Sequence, residues 1–409
     1  MNVAAATSER RVGLHRSGDI FTFPIRAARQ AVADAEAPVV AAATSLKQID
    51  KLEQSWKTLE LRAGHCFHAF QSFEWCRAWV EQFAGAGAEP LVVTVRQEGE
   101  VKLVWPLMRT RVGPFVILRW LSDPFCQYGD VLAADANAKA LMGVAWRWIA
   151  GRRIADVVRL RHVRADAVAQ DFLASHFQRD GETGVAPFLD LAHYPCEASY
   201  EARYTKMQRR RRKRIRSELE RLGPLKFEMA ARGRNFDAVL ERTLAAKRTW
   251  LSQRGLYSRP LASDRIGGFL RRLTEIEGNL KLVASVLSAG DRPIAYEVGL
   301  RFKGRHYGFI TAHDPALTDA SPARLHMDLS QRRAIRDGLH TFDLMVPNDP
   351  HKASWSSGTV SVADHHAPLT VRGHLYAATY LRALRPAIRR AYYAAPASLR
   401  RQASRLACL

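Results

Sequence analysis

The sequence predicts an α/β protein in which mixed, mostly antiparallel sheets are flanked by helices and one architecture is laid down twice. Three observations predict it: period-two runs arranged as meanders, amphipathic helices around each meander, and the same order of elements in both halves of the chain. A length of 409 residues exceeds what one hydrophobic core commonly serves, and 47% apolar residues are enough to fill two.

Residues 1–43 are rich in Ala, Arg and Val without a sustained period and are expected to form a poorly ordered leader. They contain no apolar core of signal-peptide length, which argues against export. Organised structure is expected from Ser45, a candidate N-cap. Leu46, Ile49, Leu52, Trp56 and Leu59 follow it at helical spacing, and Phe70, Phe73, Trp75, Trp79 and Phe83 mark a second helix. Strand-like runs at 90–96, 101–109 and 115–121 form a meander. A helix at 138–149, a strand at 155–161 and a helix at 166–177 complete a first domain, 44–182.

The order then returns in a second domain, 183–372. A strand at 187–191 precedes a helix at 200–222, which stops at Gly223-Pro224, and a short strand at 226–229. Helices at 236–254 and 266–276 lead to strands at 280–287, 293–302 and 306–312. A helix at 322–337 and a strand at 341–346 follow. Residues 373–409 form a basic amphipathic tail, with Leu375, Tyr380, Leu384 and Tyr392 among seven arginines, and are expected to fold as short helices broken by Pro386 and Pro396.

A formal charge of +22 makes polyanions plausible partners, and no apolar run reaches the eighteen or so residues of a membrane span. Five separated cysteines without a C-x-x-C pair read as buried thiols in a reducing cytoplasm, and no metal site is expected. The run Arg209–Arg214 falls on the wet side of an amphipathic helix whose apolar stripe is Tyr204, Met207, Ile215, Leu219 and Leu222. Without interleaved aromatic residues it argues against a dedicated nucleic-acid binder, while an anionic substrate or tRNA contact stays open.

The most informative stretch runs from Asp291 to Leu325. It describes a strand, a loop and a helix start, with Ser321 as N-cap and Pro322 at the first helical position. Free backbone N–H groups and the positive dipole end would then face an anion, to which Arg324 adds a charge. An ordinary well-capped helix would carry the same residues.

Taken in order, Arg292-Pro-Ile-Ala, the Ala312-His-Asp-Pro strand end, Ser321-Pro-Ala, Ala334-Ile-Arg-Asp-Gly-Leu, Phe342-Asp-Leu-Met and His351-Lys352 with Trp355 resemble the acyltransferase domain of the FemAB-like and CelD/BcsL proteins, a branch of the GNAT superfamily. The resemblance spans about 189–355 and implies tandem GNAT-like domains. It also implies an acyl-CoA dependent N-acyltransferase, with acetyl-CoA or another acyl-CoA as co-substrate. The acyl donor's pyrophosphate would lie at the helix beginning at Ser321, with Ala323 and Arg324, and its thioester beside the strand ending at Ala312. Lys352 is the first candidate for a functional side chain, and Glu297 and His313 are candidates for the base. Glu297 alternates with the apolar Ile294, Tyr296, Val298 and Leu300, so it is expected to face solvent or the cleft.

The resemblance implies an amine-bearing acceptor, with a sugar or cell-envelope precursor and exopolysaccharide or cellulose biosynthesis as the expected setting. The chain is expected in the cytoplasm, peripheral at the inner membrane face through its tail. Two replacements depart from the family pattern, Ala323 for the usual glycine and His351 for the usual aromatic residue. They keep a non-catalytic accessory protein open as an alternative. Some FemAB relatives use aminoacyl-tRNA, but the long helical hairpin that they insert is not visible here.

Overall fold

The computed structural model describes residues 37–400 apart from 86, 348 and 397, so most of the predicted leader and the end of the tail lie outside the described residues. In chain order the first half contains β1 (Val39–Ala43), α1 (Leu46–Asp50), α2 (Glu53–Ala63), α3 (Phe73–Phe83), β2 (Ala88–Gln97), β3 (Glu100–Val112) and β4 (Phe115–Trp120). It continues with β5 (Leu132–Ala133), α4 (Asp135–Arg152), β6 (Val157–Arg164), α5 (Gln170–His176) and β7 (Gln178–Asp190). The second half runs α6 (Glu197–Ala202), α7 (Lys206–Glu220), β8 (Leu225–Met229), α8 (Arg234–Gln253), α9 (Arg259–Ala262), α10 (Ile266–Glu275), β9 (Lys281–Ala289), β10 (Arg292–Phe302) and β11 (Arg305–His313). It ends with α11 (Pro322–Arg336), β12 (Thr341–Asp343), α12 (Pro350–Ala353), β13 (Gly358–Pro368), α13 (Val371–Tyr376) and α14 (Arg385–Ala394).

All the strands join one sheet in the order β1-β2-β3-β4-β6-β13-β7-β12-β11-β10-β9-β8, with β5 added to β3. Each half contributes an antiparallel ladder that ends in one parallel pair, β4 with β6 and β11 with β12. The duplication expected from element order is therefore present in the topology. At the centre the halves exchange strands. β7 follows β6 in the chain but pairs with β12, whereas β13 follows β12 but pairs with β6, and β7 and β13 pair with each other. The expected division at 182/183 thus falls inside β7, and neither half's sheet is complete without a strand of the other.

Aromatic packing reinforces this dependence. Trp75 of α3 meets Phe269 of α10 with ring centroids 4.9 Å apart, and Phe70 meets Tyr307 of β11 at 5.8 Å. One core cluster runs through both halves. Fully burying such a side chain is worth about 1.5–3 kcal/mol, so several contacts of this kind hold the halves together more firmly than any surface pairing.

Local chemistry explains the element boundaries. The Ser72 hydroxyl accepts from Trp75 N (3.3 Å) to start α3. The expected single helix at 200–222 is divided because Thr205 and Gln208 form a reciprocal capping box that begins α7 afresh. The expected helix at 166–177 is shortened to α5, since Asp130 takes the Val168 and Ala169 N–H groups (3.0 and 2.9 Å). Gly223 has φ of 139°, and a Cβ there would come within 2.6 Å of Gly290 N, so the turn after α7 requires glycine.

Several expectations are corrected. Residues 39–43, assigned to the leader, form β1 on the sheet edge. Residues 358–368, to which the sequence pattern assigns no element, form the central β13. The tail is continuous through Pro386, with a π-helical segment, Ala377–Leu384, between α13 and α14. Met207 and Leu222, placed on the apolar stripe of α7, are exposed, while Arg212 is half-buried. Cys76 and Cys126 are buried as expected, but Cys66 is only half-buried and Cys196 is exposed. No helix among the described residues is long and apolar enough to cross a membrane.

Candidate active site

The parallel pair β11 and β12 is in register from Arg305↔Thr341 to Tyr307↔Asp343. Beyond it β12 ends, whereas β11 continues to His313, and the two strands part. Asp343, at the last paired position, is buried. Its Oδ1 accepts from Tyr128 OH (2.7 Å) and Met345 N (2.8 Å), and its Oδ2 accepts from Arg305 Nη1 (2.7 Å). Arg164 of the first half lies 3.5 Å from the same oxygen. The carboxylate therefore pins the floor of the opening from both halves, with no lone pair in reach of solvent.

Lys352 stands at the mouth of this opening on α12. Asp349 caps that helix by accepting from His351 N (2.8 Å) and Lys352 N (3.1 Å). Lys352 Nζ donates to Met345 O (2.9 Å) and Pro347 O (2.7 Å). An ammonium has three protons, so one remains for a ligand oxygen. Burial pushes the Lys352 pKa down to about 8, against the opposing pull of Asp349 and Asp343. The side chain stays a cation at neutral pH but loses its proton within the biochemical range.

His313 sits at the end of β11, with Nε2 3.3 Å from Thr318 Oγ1. Burial, and then Arg254 just past α8 and Lys247 within it, push its pKa below the ordinary histidine value, so the ring is neutral at pH 7 and can accept a proton. Ala312 beside it is buried in the ladder opposite Tyr296. Lys247 is itself pushed down by burial, with Asp349 opposing. Lys247, Arg254 and Asp349 were not singled out in the sequence. The signal existed, because Lys247 lies at helical spacing with Leu240, Leu244 and Leu251, where an apolar residue is expected.

Glu297 lies elsewhere. It faces neither solvent nor the opening, because α11 and α8 cover the two faces of β10 and every position from 294 to 300 is buried. Its Oε1 accepts from His306 Nε2 (2.6 Å), and Ser330 Oγ of α11 donates to the carboxylate at 3.2 Å. Burial would raise its pKa, but His306, with His326 and Ser330, holds it below the usual carboxylate value. Its geometry is that of a buried structural charge.

At the start of α11, Ser321 is left-handed (φ 57°, ψ 46°) and makes no side-chain cap. A capping hydroxyl needs an extended backbone to turn back on the helix, so the expected N-cap bond is absent. Ala323 and Arg324 occupy the first turn, both half-buried. Arg324 Nη2 donates to His351 Nδ1 (3.3 Å), which ties this turn to α12. Burial, then Arg211 and Arg212 of α7, lower the Arg324 pKa. These three arginines line a cleft with Tyr204, Gln208 and Trp355. Asp328 neutralises Arg212, which stacks on Tyr204 and Trp355 with centroid distances of 3.4 and 4.6 Å. Arg211 and Arg324 remain as surplus positive charge, and a phosphate would relieve their repulsion. The residues present therefore fit the anionic end of an acyl-CoA.

The segment that holds Lys352, His313 and Arg324 matches a known domain family over well under half of the chain. Residues 206–353, which include Lys352, His313 and Arg324, match the family model described as the acetyltransferase (GNAT) domain. No curated protein matches the chain. Among solved structures, FemX superposes with a TM-score of 0.53 at 13% identity, covering 83% of this chain and 99% of its own. The C-terminal domain (DUF2156) of a protein described as a lysylphosphatidylglycerol synthetase from Agrobacterium fabrum superposes with a TM-score of 0.51 at 12% identity, covering 80% and 95%. At such identities the likeness is one of fold. Both span nearly their full length on this chain, so the likeness takes in both halves of the sheet.

Proposed function

We propose that the protein is an N-acyltransferase that moves an acyl group from acyl-CoA to an amine-bearing precursor of the cell envelope or of an exopolysaccharide. The observation that carries this reading is Lys352, anchored by two main-chain carbonyls at the parting of β11 and β12 with one proton unassigned. In the reaction a C–N bond forms, the thioester C–S bond breaks, CoA leaves as the thiol and the amine gives up a proton. Lys352 holds the negative charge that develops on the carbonyl oxygen, His313 takes the proton, and Arg324 with Arg211 holds the donor's phosphates.

The envelope setting is supported by the CelD/BcsL-like motifs around Ser321 and Lys352 and by the superposition on FemX and on a protein whose name speaks of lysylphosphatidylglycerol, an aminoacylated lipid. On this reading the protein works in the cytoplasm at the inner membrane face. Release of free thiol from acetyl-CoA, followed across amino sugars, amino-acid amides and aminated lipids, tests the reading. One acceptor class should accelerate release in the wild type and not in Lys352→Met. Acceleration that is equal in both would reject it.

A further inference from the structure

The helical segment 371–394 presents two unlike sides. Tyr376, Ala377 and Leu381 are buried against Ile117 of β4 and Val157 of β6. Val371, Leu375, Leu384 and Ile388 are more than half exposed. At about 100° per residue, an uninterrupted α-helix would place Leu384 opposite Leu375. The wider i→i+5 turns of 377–384 rotate less per residue and bring the two toward one side. Tyr376 and Leu381, five residues apart and both buried, follow the same wider period.

The charges divide in the same way. Arg385 turns to the body and pairs with Asp180 (3.2 Å) and Asp364 (3.7 Å), and Arg382 donates to Gln178. Arg389 and Arg390 are exposed and have no carboxylate partner among the described residues. No Asp or Glu occurs anywhere from 365 to 409. Tyr392 OH donates to Gly255 O (2.9 Å), so the segment is held on the body instead of trailing from it.

We infer that this segment is a docking surface for an anionic lipid bilayer, with Leu384 and Ile388 entering the interface and Arg389 and Arg390 meeting lipid phosphates. Leu384 and Ile388 lie about 40° apart on an exposed ridge. Arg389 and Arg390, about 100° and 160° round the helix from Ile388, carry long side chains that reach phosphates from its flanks, so the surface matches a bilayer in both hydrophobicity and sign. The tail's sequence alone carried this partner as an option. The structure adds the face, the residues that compose it and the arginines excluded from it. The inference does not depend on the acyl-transfer chemistry.

Sedimentation of the full chain with vesicles tests it. The wild type should bind vesicles containing phosphatidylglycerol, bind pure phosphatidylcholine weakly, and lose affinity as salt rises. Removing two charges in Arg389→Ala/Arg390→Ala should weaken binding about thirtyfold, and Leu384→Glu/Ile388→Glu about tenfold or more. Neutralising the buried-side Arg385 should have no comparable effect beyond loss of thermal stability. Equal binding to both lipids, or variants that bind like the wild type, would overturn the inference. So would a dimer dissolved by Ile388→Glu, or tRNA binding that loses the same affinity in the arginine variant while vesicles remain unbound.

Discussion

The two halves of the molecule share one strand order but treat the parting of their parallel strands in opposite ways. In the first half β4 and β6 pair only at Ile117↔Val157 and Leu118↔Val158. What lies beyond is filled. Asp123 joins Arg119 (3.3 Å) and Arg161 (3.2 Å), Asp364 approaches Arg161 at 3.5 Å, and Trp120 Nε1 donates to Arg161 O (3.0 Å). Gly129 closes against Trp120 so tightly that a Cβ would overlap the indole. In the second half Lys352, Lys247, Arg254 and His313 act on one another's charge beyond the parting, with Asp349 opposing the shift of both lysines and Asp343 held by Tyr128, Met345 and Arg305. A duplicated scaffold has one copy closed by paired charges and one left with unpaired ones. On the proposed function, chemistry would rest on the residues at this parting and not on the fold.

Breaking the closed copy should cost stability and spare chemistry. Asp123→Ala removes the carboxylate of half-buried Arg119 and leaves Arg161 only Asp364, and a loss of about 1–3 kcal/mol is expected in denaturant unfolding. Acyl transfer per folded molecule should not change. Breaking the open copy should do the reverse. Lys352→Met is expected to lower kcat by about 10²–10³. Because the ammonium is the active form, wild-type activity should fall as pH rises through about 8, and Lys352→Arg should move that limb upward.

A third variant probes where the halves meet. Glu60 of α2 is buried beside Glu74 of α3, and Asn279 of the second half donates to Glu60 at 2.9 Å. Burial, then Glu74, pushes the Glu60 pKa from 4.5 up to about 7. The folded state therefore holds this proton more tightly than the unfolded chain. The stability it contributes is full below pH 4.5 and is lost as pH rises through about 7, a change of about 3 kcal/mol. Glu60→Gln should flatten that dependence in unfolding experiments across the range. The smallest effect is expected from Arg324→Ala, a rise of about tenfold in the KM for acyl-CoA with kcat nearly unchanged, read from initial rates.

Much of this was legible in the sequence because it is local. The meanders, the helices around them and the duplicated order follow from periodicity. Lys352, His313 and Arg324 were named from the motifs that surround them. What escaped was set by distant partners. Strand β13 contains Asp364, His365, His366 and Pro368, which carry no local strand signal, yet it sits between β6 and β7 because both neighbours come from the first half of the chain. Glu297 was expected on an open face because alternation in one strand cannot show that helices cover both sides. Ser321 has the composition of an N-cap, but its left-handed backbone withdraws the hydroxyl from the helix. Asp343 pairs with Arg305 and approaches Arg164, and the part that comes from the first half could not be seen in either half alone.

The central claim is that the second opening binds the acyl donor and the first does not. Calorimetric titration of acetyl-CoA into the wild type, Arg324→Glu and Asp123→Asn tests it most directly. One site per chain, weakened at least tenfold in Arg324→Glu and retained in Asp123→Asn, is the predicted result. Two sites per chain, no binding at millimolar acetyl-CoA, or an affinity indifferent to Arg324 would contradict it.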